Sequence, residues 1–142
     1  REPLWPDKIT GSISHSRRLA ISCVGDVEEL VSIGVDAEEI INPGLGEEIQ
    51  RTIAHWEEVL LLKEKGLREG LTILFSAKES LYKAIFPMAR TYIDFKEVRL
   101  KELDLIKQTF VLDLKTTNSK LTSLMGSYRG SYKKMGETIL TI

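Results

Sequence analysis

The sequence predicts an α+β fold: an antiparallel sheet packed on one long helix. Three observations carry this. Apolar residues recur at helical spacing over 47–65 and again over 71–86. Four short β-prone segments then follow, separated by Asn, Ser and Gly. Helical and strand patterns are segregated along the chain rather than alternating, which argues against a parallel α/β sheet.

Residues 1–7 contain Pro3 and Pro6 and read as a stiff, extended segment. Residues 18–24 are rich in Ile, Ala and Val and read as a strand, with a turn at Gly25-Asp26. A second strand over 30–37 completes a hairpin-like pair, and Asn42-Pro43-Gly44 closes the unit. The first helix, 47–65, presents Ile49, Ile53, Trp56, Val59 and Leu60 and stops at Gly66. The second helix, 71–86, is more apolar and is expected to end at Pro87. Strands are expected over 96–101, 109–115, 127–133 and 137–142, as a meander on the second helix.

At 142 residues, with 42% hydrophobic and 29% charged residues, the chain has the balance of a globular domain. The formal net charge of −1, from 20 basic and 21 acidic residues, lacks the basic excess of nucleic-acid binders. No apolar stretch is long enough for a membrane span. Cys23 stands alone, which excludes an internal disulfide and fits the cytoplasm; it reads as a small buried hydrophobe. The start at Arg1, without methionine, suggests a fragment, either a processed or engineered product or one part of a larger protein.

Three islands carry chemistry. Asp36 and Glu38 share one face of a strand, and a hard cation such as Mg²⁺ would relieve their repulsion. Solvent-facing charges at a strand end are the bland alternative. Glu79 and Lys83, at i and i+4, share a helix face with Ser76 on an otherwise apolar helix, so that strip must meet something polar. A metal-phosphate site or a structural ion-pair network would satisfy it. Ser14-His15 follows Gly11-Ser12, and hydroxyl, backbone and imidazole donors suit phosphate oxygens. An incidental loop histidine remains the plainer reading, and His55 is read as incidental.

Taken in order, these islands resemble the 4′-phosphopantetheinyl transferases, in the two-lobed branch that activates surfactin and enterobactin synthases. Ser12-Ile13-Ser14-His15-Ser16 looks like the family's Ser-His segment, and Gly34-Val35-Asp36-Ala37-Glu38 like its Gly-(Ile/Val)-Asp-x-Glu strand. Phe75-Ser76-Ala77-Lys78-Glu79-Ser80-Leu81-Tyr82-Lys83 looks like its (Trp/Phe)-x-x-Lys-Glu-x-x-x-Lys helix. The opening Arg1–Pro6 is similar to the segment before the Ser-His motif in the enterobactin-type subgroup.

The resemblance implies a pseudo-twofold fold, with residues 1–30 ending a first lobe and 31–142 forming the catalytic lobe. The first lobe would be largely absent; assembly of copies, as in the homotrimeric carrier-protein synthases, is the less favoured option. It implies Mg²⁺-dependent transfer of 4′-phosphopantetheine from coenzyme A to a serine of an apo acyl, aryl or peptidyl carrier protein. Adenosine 3′,5′-bisphosphate is then released. Asp36, Glu38 and Glu79 would hold Mg²⁺, with Mn²⁺ as a substitute. Ser14, His15 and Lys83 would contact phosphate, Lys78 would support the site or touch phosphate, and Arg1 and Pro3 would lie near the nucleotide end. Lys83 would stabilise the attacked phosphate, and Glu79, directly or through a water on the metal, would take the serine proton. A siderophore or other nonribosomal peptide pathway is implied, with Phe86, Met88 and Tyr92 as carrier-docking candidates or core residues. A non-catalytic carrier-binding module, or another Mg²⁺-dependent enzyme acting on a nucleotide diphosphate, is the alternative.

Overall fold

A computed structural model describes residues 3–142. Strands β1 (Ile9–His15) and β2 (Ala20–Asp26) form an antiparallel hairpin. A separate antiparallel sheet has the order β3-β7-β6-β5-β4, from β3 (Asp36–Glu39), β4 (Val98–Asp104), β5 (Thr109–Leu114), β6 (Gly126–Met135) and β7 (Thr138–Thr141). Helices α1 (Gly46–Ile53), α2 (Trp56–Leu62) and α3 (Leu67–Ala89) lie between β3 and β4 in the chain.

The core is the interface between α3 and the large sheet. Leu74, Ala77, Leu81 and Ile85, at 3- and 4-residue spacing, pack among Leu112, Leu114, Tyr132 and Ile139. The expected α+β meander on a long helix is present, with strand bounds shifted by a few residues.

Three expectations need correction. The hairpin is not 18–24 with 30–37: β2 pairs with β1, and residues 30–35 carry no strand before β3, which instead pairs with β7. The hairpin turn therefore falls at 16–19, where Ser16 N donates to Leu19 O. The helix over 47–65 is broken at Ala54-His55, both extended in backbone. Its missing turn is replaced by side chains: Lys78 Nζ donates to Ile53 O at 2.7 Å, and Lys96 Nζ donates to Ala54 O. The break also rotates the apolar stripe, so Trp56 is 70% exposed while Glu58 is buried. Pro87 does not end α3. It sits in the last turn, and the helix stops two residues later where Arg90 turns left-handed.

The chain entering β3 passes unusually close to α3. A Cβ on Gly34 would stand 1.8 Å from the Ser80 carbonyl oxygen and 2.7 Å from Ala84 N. Only glycine permits that approach. Ser32 Oγ, just upstream, donates to the Ala84 carbonyl and pins the crossing. Because the obstructing atoms are helix backbone, they cannot swing aside. Gly34→Ala is expected to cost about 1–3 kcal/mol or more, read as a lower midpoint in urea unfolding; an unchanged midpoint would contradict the close packing.

Candidate functional site

Asp36 opens β3 immediately after this crossing. Asp36 and Glu38 pair across the ladder with Thr141 and Ile139. Ile139 is fully buried, and Thr141 Oγ1 donates to Ser76 O of α3 at 2.8 Å. Both carboxylates therefore lie on the sheet face turned towards α3, which carries Glu79 and Lys83.

The hairpin completes the enclosure. Alternation along β1 turns Ser12 and Ser14 inward, and their hydroxyls accept hydrogen bonds from Val35 N (3.0 Å) and Ala37 N (3.2 Å). Ser14 Oγ also donates to Asp36 Oδ1 at 2.9 Å. Lys83 Nζ contacts the same oxygen at 2.6 Å and Ser14 Oγ at 2.9 Å. Asp36 is 2% exposed, and among the described residues its Oδ2 has no hydrogen-bond partner. An unpaired carboxylate oxygen at such depth costs on the order of 1–3 kcal/mol or more.

Glu38 and Glu79 complete an acidic cluster. Burial first, then the Asp36 and Glu79 charges, push the Glu38 carboxyl up to about 7, against a smaller opposing pull from Lys83. Glu79 is raised by burial and by Asp36, again opposed by Lys83. Three acidic groups thus share one cationic side chain. Among the described residues no group of three His, Cys, Asp or Glu side chains converges as a ready metal cage. Mg²⁺ does not require one, since it commonly takes one or two carboxylates together with waters and substrate phosphates. The hard oxygen donors and the partnerless Asp36 Oδ2 fit such a cation.

The other expected site residues fall elsewhere. His15 is exposed on the outer side of β1, opposite Ser14, and is not brought to the cluster. Lys78 is 2% exposed and buried against Glu58 at 3.0 Å, with further donation to Ile53 O and Phe95 O. Its three ammonium hydrogens are therefore committed to protein acceptors, and burial, partly offset by Glu58, lowers its pKa to about 8. Pro3 lines a groove of about 640 Å³ with Trp5, Ile13, Tyr82, Lys83 and Phe86. Arg1 lies outside the described residues. Phe86 is half-buried, but Met88 and Tyr92 (63% exposed) are not core residues. Cys23 is half-buried rather than buried.

Two supporting groups were not singled out from sequence. Ser12 holds Val35, and the Ser12-x-Ser14 alternation was its available signal. Glu58 accepts from Lys78, from His55 N at 2.7 Å and from Leu100 N at 2.6 Å, joining α2, α3 and β4. His55 is structural: its Nε2 meets Lys96 O at 2.9 Å.

The family model for the 4′-phosphopantetheinyl transferase superfamily matches residues 32–134, which include Asp36, Glu38, Glu79 and Lys83. The chain belongs to this superfamily. It is 38% identical over 86 residues to enterobactin synthase component D of Salmonella typhi, covering 59% of this chain and 35% of that protein. It is 29% identical over 113 residues to the 4′-phosphopantetheinyl transferase PptT of Mycobacterium tuberculosis, covering 70% and 44%. Against the 4′-phosphopantetheinyl transferase Svp of Streptomyces mobaraensis it is 30% identical over 103 residues, covering 69% and 41%. The chain thus spans less than half the length of these relatives. Among the described residues no helix is long and apolar enough to cross a membrane.

A raised carboxyl pKa has a defined sign in stability. The folded state holds the Glu38 proton more tightly than the unfolded chain does, so this stabilisation is complete below about 4.5 and is lost as pH rises through about 7. Glu79 acts in the same direction. Urea unfolding in a metal chelator should therefore show stability falling across that window, and Glu38→Gln should flatten the slope. An unchanged slope would contradict the clustered arrangement.

Proposed function

We propose that this protein transfers 4′-phosphopantetheine from coenzyme A to a serine hydroxyl of an apo carrier protein and releases adenosine 3′,5′-bisphosphate. The observation that carries the reading is Asp36 Oδ2: a buried carboxylate oxygen without a partner, beside Glu38 and Glu79, with Lys83 adjacent. Superfamily membership supports it.

Asp36, Glu38 and Glu79 would hold Mg²⁺, or Mn²⁺ in its place. Such a metal would supply positive charge to offset that of the coenzyme A diphosphate. Lys83 stabilises the charge that builds on the phosphoryl oxygens. Glu79 takes the serine proton; burial and the Asp36 charge raise its carboxyl above the ordinary carboxylate range, which makes it a stronger base. Ser14, with its hydroxyl committed to Asp36, Ala37 and Lys83, serves by holding these groups in place.

The groove beside Lys83 supports a place for the remainder of coenzyme A, with Pro3 and Trp5 on one wall and Tyr82 and Phe86 on the other. Residues 1–30 would end a first lobe and 31–142 form the catalytic lobe. The half-buried thiol of Cys23 suits a reducing, cytoplasmic setting. The partner is a carrier protein, and the similarity to enterobactin synthase component D favours one from a siderophore pathway.

The test is intact-mass analysis of an apo carrier protein after incubation with the protein, coenzyme A and Mg²⁺. A gain of one phosphopantetheine is expected, reduced at least a hundredfold by Asp36→Asn, a loss within the reach of such electrostatic groups. Carrier binding without a mass gain would indicate a non-catalytic module instead. Breakdown of coenzyme A with an unmodified carrier would indicate a hydrolase.

A further inference from the structure

Asp36 presents two unlike oxygens. Oδ1 is saturated: it accepts from Lys83 Nζ at 2.6 Å and from Ser14 Oγ at 2.9 Å. Oδ2 has no partner among the described residues. Lys83 is also the less buried member of the pair, with its side chain 27% exposed against 3% for Asp36. A flexible ammonium at the rim of the acidic cluster, and on the wall of the 640 Å³ groove, can leave Asp36 without unfolding anything. Asp36 cannot follow it, because β3 is held by β7, by the two β1 serines and by the Gly34 crossing.

Resting on the metal-diphosphate reading above, we infer that Lys83 is a built-in counter-ion of Asp36 that competes with the divalent cation and is drawn off by the diphosphate. Two cations on one carboxylate repel each other, so the ion pair weakens binding of a metal offered alone. A diphosphate arriving with the metal gives Lys83 an anionic partner on the groove side. The repulsion then becomes an attraction shared by all three groups. Metal and diphosphate binding are therefore coupled through Lys83, and by linkage each strengthens the other by the same factor. Ser14 remains hydrogen-bonded to Asp36 Oδ1 when the ammonium moves away, so the carboxylate keeps its orientation. The consequence for the enzyme is selectivity: free metal is held weakly, while the metal-diphosphate pair is held firmly.

The test uses Mn²⁺ as the metal and inorganic pyrophosphate as the diphosphate, with bound Mn²⁺ read by electron paramagnetic resonance. In the wild type, pyrophosphate should tighten Mn²⁺ binding roughly tenfold, a factor ordinary for coupled sites. In Lys83→Met, Mn²⁺ alone should bind more tightly than to the wild type, and the pyrophosphate enhancement should shrink to the part that direct metal–diphosphate contact supplies. The thermal midpoint gives a second readout. Lys83→Met should melt lower than the wild type in chelator, because Asp36 loses its counter-ion, and should gain more from added Mn²⁺. Unchanged or weaker Mn²⁺ binding in Lys83→Met, with binding intact in the wild type, would overturn the counter-ion role alone. Failure of Mn²⁺ to bind either protein, with or without pyrophosphate, would overturn the metal reading and this inference with it.

Discussion

The site depends on a carboxylate that the fold buries without satisfying it. Asp36 is enclosed by β1, β7 and α3, yet one of its oxygens lacks a partner among the described residues while the other is shared by Lys83 and Ser14. Two acidic neighbours add repulsion that Lys83 offsets only in part. Such an arrangement is unfavourable by itself and persists only where the surrounding packing determines it. Here the packing is specific. Gly34 lets the chain touch the backbone of α3, Ser12 and Ser14 take the amides of Val35 and Ala37, and β7 pairs with β3.

A second buried charge pair fixes the helix that faces this carboxylate. Lys78 and Glu58 sit on a different side of α3 from the acidic cluster. Between them they collect contacts from α1, α2, β4 and the Phe95 turn. A buried pair of this kind contributes little net stability, but removing one member strands the other, typically at about 3–5 kcal/mol. Its contribution is orientation: with Lys78 anchored inward, the next residue, Glu79, and Lys83 one turn further on are turned towards β3. The adjacent Lys78 and Glu79 thus have separate tasks, one in the core and one in the site.

Much of this was legible in the sequence, and the omissions have physical causes. The 3.6-residue period of α3 and the β-prone segments after residue 97 reflect one-sided burial, which leaves a direct trace in residue order. The pairing of β1 with β2 left a weaker trace, because Ile9–His15 is half serine, glycine and threonine; its inward hydroxyls serve as hydrogen-bond acceptors rather than as core. The break at Ala54-His55 contains neither proline nor glycine. It exists because Lys78 and Lys96, 25 and 42 residues further along than the carbonyls they capture, take the acceptors that helix continuation would have used. Lys78 shows the same limit: it matches the lysine of the family's Lys-Glu-x-x-x-Lys helix, but only the tertiary position of Glu58 reveals its partner. Periodicity placed Asp36 with Glu38 and Glu79 with Lys83, each pair on one face, and the family resemblance supplied the step that joins the two pairs.

The candidate site is a cluster of hard oxygen donors beside one lysine, and that lysine lines a groove with Trp5, Ile13, Tyr82 and Phe86. The most direct test is a crystal structure with Mn²⁺ and pyrophosphate, with the metal located by its anomalous scattering. An anomalous peak within coordinating distance of Asp36 Oδ2, with Lys83 moved from Asp36 onto a phosphate oxygen, is the result expected. A peak elsewhere on the protein, or Lys83 still paired with Asp36 beside bound pyrophosphate, would contradict the account.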